Sequence, residues 1–247
     1  MRNHLLSFLR LALLCALSLS PALQAEEPVP FTARYKASYG NFRAESVRSL
    51  SFDAASQRYI MLADTRLTLL GGSLSSIHER SEFLWGDDIA EPLLYSYEQK
   101  GLGSRSRGLS FDQAQAQLSW NVDDKSGALP FTAPVFDDLT SFMEIRRQLR
   151  QGLDTIEFQV ADRDAIDTNV YRVLGQEMLT TPLGAYNTVH LERVRDAGNE
   201  RTTELWLAPD LDYLLLKLRQ QEPNGRLIQL DASAIERAAP DAATLDR

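Results

Sequence analysis

Phe31-Thr-Ala-Arg-Tyr-Lys-Ala-Ser-Tyr39 is the stretch that decides the fold of this chain. Its apolar residues occupy the odd-numbered positions and its polar residues the even-numbered ones. A period of two places alternate side chains on opposite faces of a strand, so one face is buried and the other is wet. Gly40-Asn41 then supplies turn chemistry. The segment predicts a half-buried strand followed by a tight turn.

The same pattern recurs along most of the chain. Further strands are predicted over residues 44–52, 59–69, 77–85, 93–101, 108–112 and 117–121, and then over 154–161, 169–177, 188–195, 202–208, 213–221 and 226–232. The links between the last four are short, and Asn224-Gly225 is a strong hairpin signal. Neighbouring strands with short links form antiparallel meanders.

One segment has helical spacing instead. Between residues 137 and 152 the apolar side chains recur at three- and four-residue intervals. Asp137 or Asp138 can accept hydrogen bonds from the first free amides, and Gly152 suits a left-handed stop. We expect one main helix over residues 138–151.

These elements predict a mainly β fold: a strongly curved antiparallel sheet or partial barrel of about a dozen strands. The helix would cover the concave side, because an apolar sheet face must be buried and a sheet of this size curls. We expect a single β-rich domain over residues 26–237, with an apolar cleft between sheet and helix.

The two ends of the chain are expected to lie outside that domain. Arg2 and Arg10 flank an apolar stretch that is too short to span a membrane, and small residues follow it. This order predicts a signal peptide over residues 1–25, cleaved after Ala25 or Ala22, and hence a periplasmic protein that spans no membrane. Cys15, the one cysteine, would leave with it. The polar residues 238–247 are expected to form a flexible tail.

Composition and motifs make several function classes improbable. The 247 residues carry a net charge of −8, and an acidic chain lacks the attraction that dominates nucleic-acid binding. Neither His-Glu-x-x-His nor a cysteine pair occurs, so we expect no metal and no cofactor. No Gly-x-Ser-x-Gly motif occurs. Outside the signal segment, the histidines are His78 and His190, both in strand patterns. We assign no catalytic residue and expect no enzyme.

Two features stand out as candidate ligand sites. The first is a hairpin that combines tyrosines, basic residues and glycines, a combination that suits a phosphate, a sulfate or a lipid headgroup. The second is a tryptophan two residues before a Pro-centred turn. The candidate ligand-binding residues are Tyr95, Tyr97, Lys100, Arg105, Arg107 and Trp206.

These residues also carry a resemblance. Tyr95-x-Tyr97-x-x-Lys100-Gly, the helix start at Asp138-Leu-Thr-Ser141, the segment from Thr181-Pro182 to Glu192-Arg193, Trp206-Leu-Ala208-Pro209 and the Asn224-Gly225 hairpin occur in that order. In this the chain resembles the family catalogued as domain of unknown function 3108, found in exported bacterial proteins. The resemblance covers residues 31–232 and departs at Leu214-Leu215-Leu216, where a proline is expected. It implies a periplasmic β-rich protein without an assigned activity.

A second similarity concerns the corner at Trp206 and Pro209. It is similar to the corner of lipoprotein-carrier half-barrels, which bind acyl chains between a curved sheet and helices. From the expected cleft of the curved sheet and the basic residues beside the tyrosines, we expect a non-catalytic periplasmic binding protein for a lipidic, amphipathic or glycan ligand in cell-envelope assembly. A protein–protein interaction module or chaperone, acting on an envelope protein through an exposed sheet edge, is the alternative. A hydrolase is the third reading, and it needs a histidine beside a carboxylate and a hydroxyl.

Overall fold

The computed structural model describes residues 27–69, 72–132 and 134–238. The predicted signal peptide with Cys15, and all but the first residue of the predicted tail, lie outside the described residues.

Fifteen strands, one α-helix and one short 3-10 helix (Pro209–Leu211) make up the described chain. The strands before the helix are β1 (Phe31–Tyr39), β2 (Phe42–Asp53), β3 (Arg58–Leu69), β4 (Gly72–Gly86), β5 (Ile89–Gly101), β6 (Arg105–Asp112), β7 (Gln117–Val122), β8 (Lys125–Pro130) and β9 (Val135–Phe136). The helix α1 (Thr140–Arg150) is followed by β10 (Thr155–Asp162), β11 (Ala165–Thr181), β12 (Gly184–Val194), β13 (Thr202–Ala208), β14 (Leu214–Gln221) and β15 (Leu227–Arg237).

All the strands belong to one sheet. Its order is β8-β7-β6-β5-β4-β3-β2-β1-β15-β14-β13-β12-β11-β10-β9. Sequence neighbours therefore pair, except β8 and β9, and β1 joins the first half to the last strand. The ladders are antiparallel except for the two-residue parallel pairing of β9 with β10. In the part of the chain that the structure describes, no ladder joins β8 to β9, and the sheet is open.

The sheet is nevertheless strongly curved. Residues of β5 lie against β9, and the Arg107 side chain of β6 forms ion pairs with Asp138, just before α1, and with Asp162 at the end of β10. Strands from opposite ends of the ladder therefore come close in space. The predicted curved sheet or partial barrel is confirmed.

The helix packs inside this curve. Met143 of α1 joins the core of the first half of the sheet, whereas Ile145 and Leu149 join a second core over β10 to β14. Asp137 caps the start, because its Oδ1 accepts hydrogen bonds from the amides of Leu139 and Thr140 at 2.8 and 2.9 Å. Gly152 follows the end of the helix in a left-handed conformation, as predicted.

Two strands were not predicted from the sequence. Lys125–Pro130 forms β8 although most of its residues are exposed and no apolar alternation marks it. Val135–Phe136 is only two residues long, too short for any periodicity. Their pairing partners, not their own side chains, define them as strands.

Among the described residues, no helix combines the length and the apolar character that crossing a membrane would require.

Candidate functional site

A hollow of about 640 Å³ opens at one end of the curved sheet. It is bounded by the ends of β1 to β5, the start of β6 and the β14–β15 turn. The lining residues are Ala37, Ser38, Tyr39, Ala44, Ser46, Thr65, Leu67, Ser75, Ile77, Gln99, Leu102, Arg105, Arg201, Glu222, Asn224, Ile228 and Leu230. Its size is that of a pocket for a small organic ligand.

The hollow does not lie between sheet and helix, where the sequence predicted a cleft. None of the α1 residues lines it. The helix fills its own side of the curve, since Met143 and Ile145 are each 1% exposed. One short helix cannot cover the whole concave face of so long a sheet. The other end of that face is therefore left open, and the hollow lies there.

Strand register sorts the inward-facing side chains by depth. Nearest the opening, Ala37 pairs with Ala44 and with Leu230. One step deeper, Ser46 pairs with Thr65, and Gln99 pairs with Arg105. The next step contains charged side chains from β2, β4 and β6. The residues at that level are Arg48, Ala63, Glu79, Tyr97 and Arg107. Polar or charged side chains therefore face inward at both of the deeper levels.

Arg105 is a cation that lines the hollow without a carboxylate partner. Its Nε donates to Oε1 of Gln99 at 3.1 Å and its Nη2 donates to the Tyr97 hydroxyl at 3.2 Å. The Tyr97 hydroxyl in turn donates to Gln99 Oε1 at 2.7 Å. Within the described ranges, Arg105 forms no ion pair. Neutral groups thus hold the guanidinium in place and leave its charge uncompensated.

Arg107 differs because it is already paired. It bonds Asp162, donates to Asp138 Oδ2 at 2.5 Å and donates to the Tyr95 hydroxyl at 2.9 Å. Tyr95 donates to Glu79 Oε1 at 2.7 Å. Burial, reinforced by the neighbouring Glu79 and Asp138 carboxylates, raises the pKa of the Tyr95 hydroxyl. This network is a structural tie between β4, β5, β6, β10 and the helix start, and its arginine is not available to a ligand.

Arg48 lies one register step below the lining residue Ser46 and was not predicted as a site residue. It shares the inward face of β2 with Ser46 and Leu50. Its guanidinium carbon lies 4.8 Å from the ring centre of Phe142 and 5.8 Å from that of Tyr35, distances typical of cation–π contacts. Its Nε is buried without a hydrogen-bond partner among the described residues. A charged side chain at an inward position of an alternating strand is the sequence signal that could have identified it.

Two of the six predicted residues lie elsewhere. Lys100 follows Gln99 on β5 and therefore points to the opposite face, where its Nζ lies 3.1 Å from Glu98. Trp206 stacks on His190 at 4.3 Å between ring centres and donates to Glu177, away from the hollow. The structure thus brings together Tyr95, Tyr97, Arg105 and Arg107, and it places Lys100 and Trp206 apart from them.

The histidines do not assemble a hydrolytic centre with a hydroxyl. His78 Nδ1 lies 2.7 Å from Asp64 Oδ1 on the outer face, with both side chains about half exposed. His190 lies 3.4 Å from Glu177 and 3.3 Å from Glu204. In the described chain, neither ring hydrogen-bonds to a serine or threonine hydroxyl, so the nucleophile of a triad is not in place. The described residues also contain no group of three or more His, Cys, Asp or Glu side chains placed to hold a metal ion.

Comparison with known proteins places the chain among proteins without an assigned activity. The model of the family described as "Protein of unknown function (DUF3108)" matches residues 34–232. No curated protein matches the chain.

One of two similar solved structures shares the fold. A β-barrel-like protein of the domain of unknown function DUF1849 from Brucella abortus is 9% identical, with a TM-score of 0.57 over 85% of this chain and 98% of that chain. A porin-like protein from Bacteroides uniformis is 10% identical over 85% of this chain and 97% of that one, with a TM-score of 0.35. The first likeness describes a common fold and nothing further.

Proposed function

Since the chain belongs to the DUF3108 family of proteins of unknown function, we propose on the geometry of its hollow that it is a non-catalytic binding protein for an amphipathic ligand. The ligand class is lipidic or otherwise part apolar and part polar, and the place of action is the periplasm, in cell-envelope assembly. The predicted signal peptide supports that location.

The observation that carries the proposal is the unfilled space of about 640 Å³ with a two-part lining. Alanine, leucine and isoleucine side chains share the lining with hydroxyl, amide and guanidinium groups. A binding pocket characteristically combines a mostly apolar wall with a few placed polar groups. A glycan offers little apolar surface to such a wall, so an amphiphile is the better fit.

The test is native mass spectrometry of the protein purified from the periplasm, compared with a variant in which the hollow is filled. Ala44 lines the hollow and is 9% exposed, so Ala44→Phe places a ring in that space. We expect the natural protein to carry a small ligand of defined mass and the variant to lack it.

Val47→Phe is the matched control, because Val47 lies on the same strand and faces the outer surface. It should retain the ligand. If the natural protein carries nothing and binds no added amphiphile, or if both variants keep the ligand equally, the hollow is not a binding site.

A further inference from the structure

We propose that the hollow takes an anionic amphiphile head first, with the apolar part toward the opening. A carboxylate or phosphate would be bound at the deep end by Arg105, which lines the hollow, and by Arg48, which lies one register step below the lining. This inference rests on the proposed function and adds the charge and the orientation of the ligand. Two properties of the interior support it: the depth of each side chain and which of its arginines already have a carboxylate partner.

The depth of each side chain below the opening of the hollow follows from the strand register. The outermost inward pairs are apolar, Tyr39 with Ile228 and Ala37 with Leu230. Leu102, at the lip of the hollow, is 67% exposed. An apolar chain lying against these residues would remove their surface from water, which is favourable in proportion to the apolar area covered. A charged headgroup at the same level would instead lose water without gaining a partner.

Polar partners begin one step deeper. Thr65 donates its hydroxyl to Ser46 Oγ at 2.9 Å, which leaves the Ser46 hydroxyl hydrogen free to donate to a ligand. The Gln99 side-chain amide donates to the Leu102 carbonyl at 2.8 Å, and its Oε1 accepts from Arg105. Arg105 thus has donors left at the level where a headgroup would arrive.

The charge balance separates the arginines of the interior. Asp138 and Asp162 already neutralise Arg107. Arg201, at the opening, is neutralised by Glu222 through bonds of 3.0 and 2.7 Å. Arg105 and Arg48 form no ion pair in the described part of the chain. Of these four arginines, Arg48 and Arg105 are therefore the two without a bonded carboxylate among the described residues.

Arg48 is the more unusual of the two. An inward-facing arginine is normally paired or hydrogen-bonded, because desolvating an unpaired charge is costly. The guanidinium of Arg48 makes no hydrogen bond to any described residue, and the Tyr35 and Phe142 rings hold it from the sides. Glu79 lies near enough to influence it, but the Tyr95 hydroxyl hydrogen-bonds to that carboxylate. An anion arriving from the hollow would supply the missing acceptor.

The experiment compares ligands that share one chain and differ in charge. Dodecanoate and dodecyl phosphate are titrated, below their micelle concentrations, against delipidated protein alongside 1-monododecanoylglycerol, which is neutral. Acetate and inorganic phosphate test the headgroup without the chain. We expect the charged amphiphiles to bind on the order of 10- to 100-fold more tightly than the neutral one, as for a charge-assisted hydrogen bond. The tighter of the two charged amphiphiles identifies the headgroup.

Three variants locate the effect. Arg48→Met and Arg105→Met should each remove most of the preference for the charged amphiphiles and leave the neutral one nearly unchanged. Arg43→Met removes the same charge from the outer face of β2. It should change the binding of neither the charged nor the neutral amphiphiles. Arg105 is exposed, so its variant remains informative if replacement of the enclosed Arg48 impairs folding.

The outcomes separate this inference from the function beneath it. Equal binding of charged and neutral amphiphiles, or loss of both together in the arginine variants, overturns the anion site and leaves the binding function in place. Failure of every amphiphile to bind the natural protein overturns both. Binding of acetate or phosphate as tightly as their dodecyl counterparts shows that the apolar lining contributes nothing, and this outcome also overturns the amphiphile assignment.

Discussion

At the scale of single residues, burial and hydrogen bonding shift the pKa of Asp137 in opposite directions. Its carboxylate accepts hydrogen bonds from the Ser81 hydroxyl at 2.6 Å and from two amides at the start of α1. These contacts favour the charged form, but the side chain is fully buried, and burial raises its pKa to about 6. The folded protein therefore holds this proton more tightly than the unfolded chain, whose carboxyl has the ordinary value of 3.8.

The sign of the resulting pH dependence follows from linkage. A raised pKa contributes stability that is fully present below the unfolded value and is lost as the pH rises through the folded value. Asp137→Asn keeps the acceptor oxygen but cannot titrate. Between about pH 3.5 and pH 7, we expect the variant to gain on the order of 3 kcal/mol in unfolding free energy relative to the natural protein. Chemical denaturation at a series of pH values measures this.

Asp53 provides a control of opposite sign. Its exposed carboxylate accepts from the Ser56 hydroxyl and the Ala55 amide, and these bonds lower its pKa. Asp53→Asn should therefore lose stability relative to the natural protein over the same rise in pH. If the unfolding free energies of both variants changed with pH in the same way relative to the natural protein, neither carboxyl would be the source of the pH dependence.

At the scale of elements, the helix depends on one turn of the sheet. Arg146 of α1 donates through Nε to the Asp212 carbonyl at 2.8 Å and pairs with the Asp212 carboxylate. Arg150, one turn later, donates to Asp212 Oδ1 at 2.8 Å. The Arg146 side chain is 5% exposed, so Asp212 is the counter-charge of a buried cation. Asp212 itself is left-handed, a backbone conformation that Asp and Asn tolerate better than most residues.

Asp212→Asn removes the charge and keeps that backbone conformation accessible. We expect a loss of about 3 kcal/mol in unfolding free energy, because a buried arginine is left without its counter-ion. Urea denaturation followed by near-ultraviolet circular dichroism measures the loss. Asp210→Asn is the control, because Asp210 lies on the exposed side of the same turn. That control should change stability by only about 0.5 kcal/mol or less. Equal losses in both variants would show that charge near the turn, not the pair with Arg146, is responsible.

At the scale of the whole molecule, the open sheet is held in its curve by side chains. The first half of the ladder meets β10 and the helix start through Arg107, which lies between Asp138 and Asp162. Backbone hydrogen bonds do not close this seam in the described chain. The open edge at β8 begins with Lys125 and ends with Pro130. These residue types discourage further strand pairing, and this weighs against the alternative of a module acting through that edge.

Arg107→Met should loosen the seam. It leaves the Asp138, Asp162 and Glu79 carboxylates without the cation between them, so we expect a loss of about 3 kcal/mol in unfolding free energy. Hydrogen exchange should become faster in α1 and β10 before it changes in β1 to β3. Arg163→Met is the control, because Arg163 meets the same Asp162 at 3.5 Å but is 65% exposed. If exchange accelerates evenly over the whole sheet, Arg107 does not tie the seam.

Local sequence patterns were sufficient to define most of the elements. The alternation from Phe31 to Tyr39 predicts β1 with its observed bounds, and the helical spacing with Asp137 before it and Gly152 after it predicts α1 to within two residues. A strand repeats every two residues, a helix repeats about every four, and capping groups act on the adjacent turn, so each signal lies within a short segment. Strands such as β8 lack a local signal and were missed.

Which side chains meet depended on the tertiary fold. Lys100 is close to Arg105 and Arg107 along the chain, and the three were predicted together for that reason, but the pleat turns Lys100 outward and the seam neutralises Arg107. Arg48, some fifty residues earlier in the chain, reaches the same interior level as Arg107 through the registers of β2 to β6. Depth in a curved sheet is the sum of many pairing registers, and charge compensation depends on partners far away in sequence. No local pattern encodes either quantity.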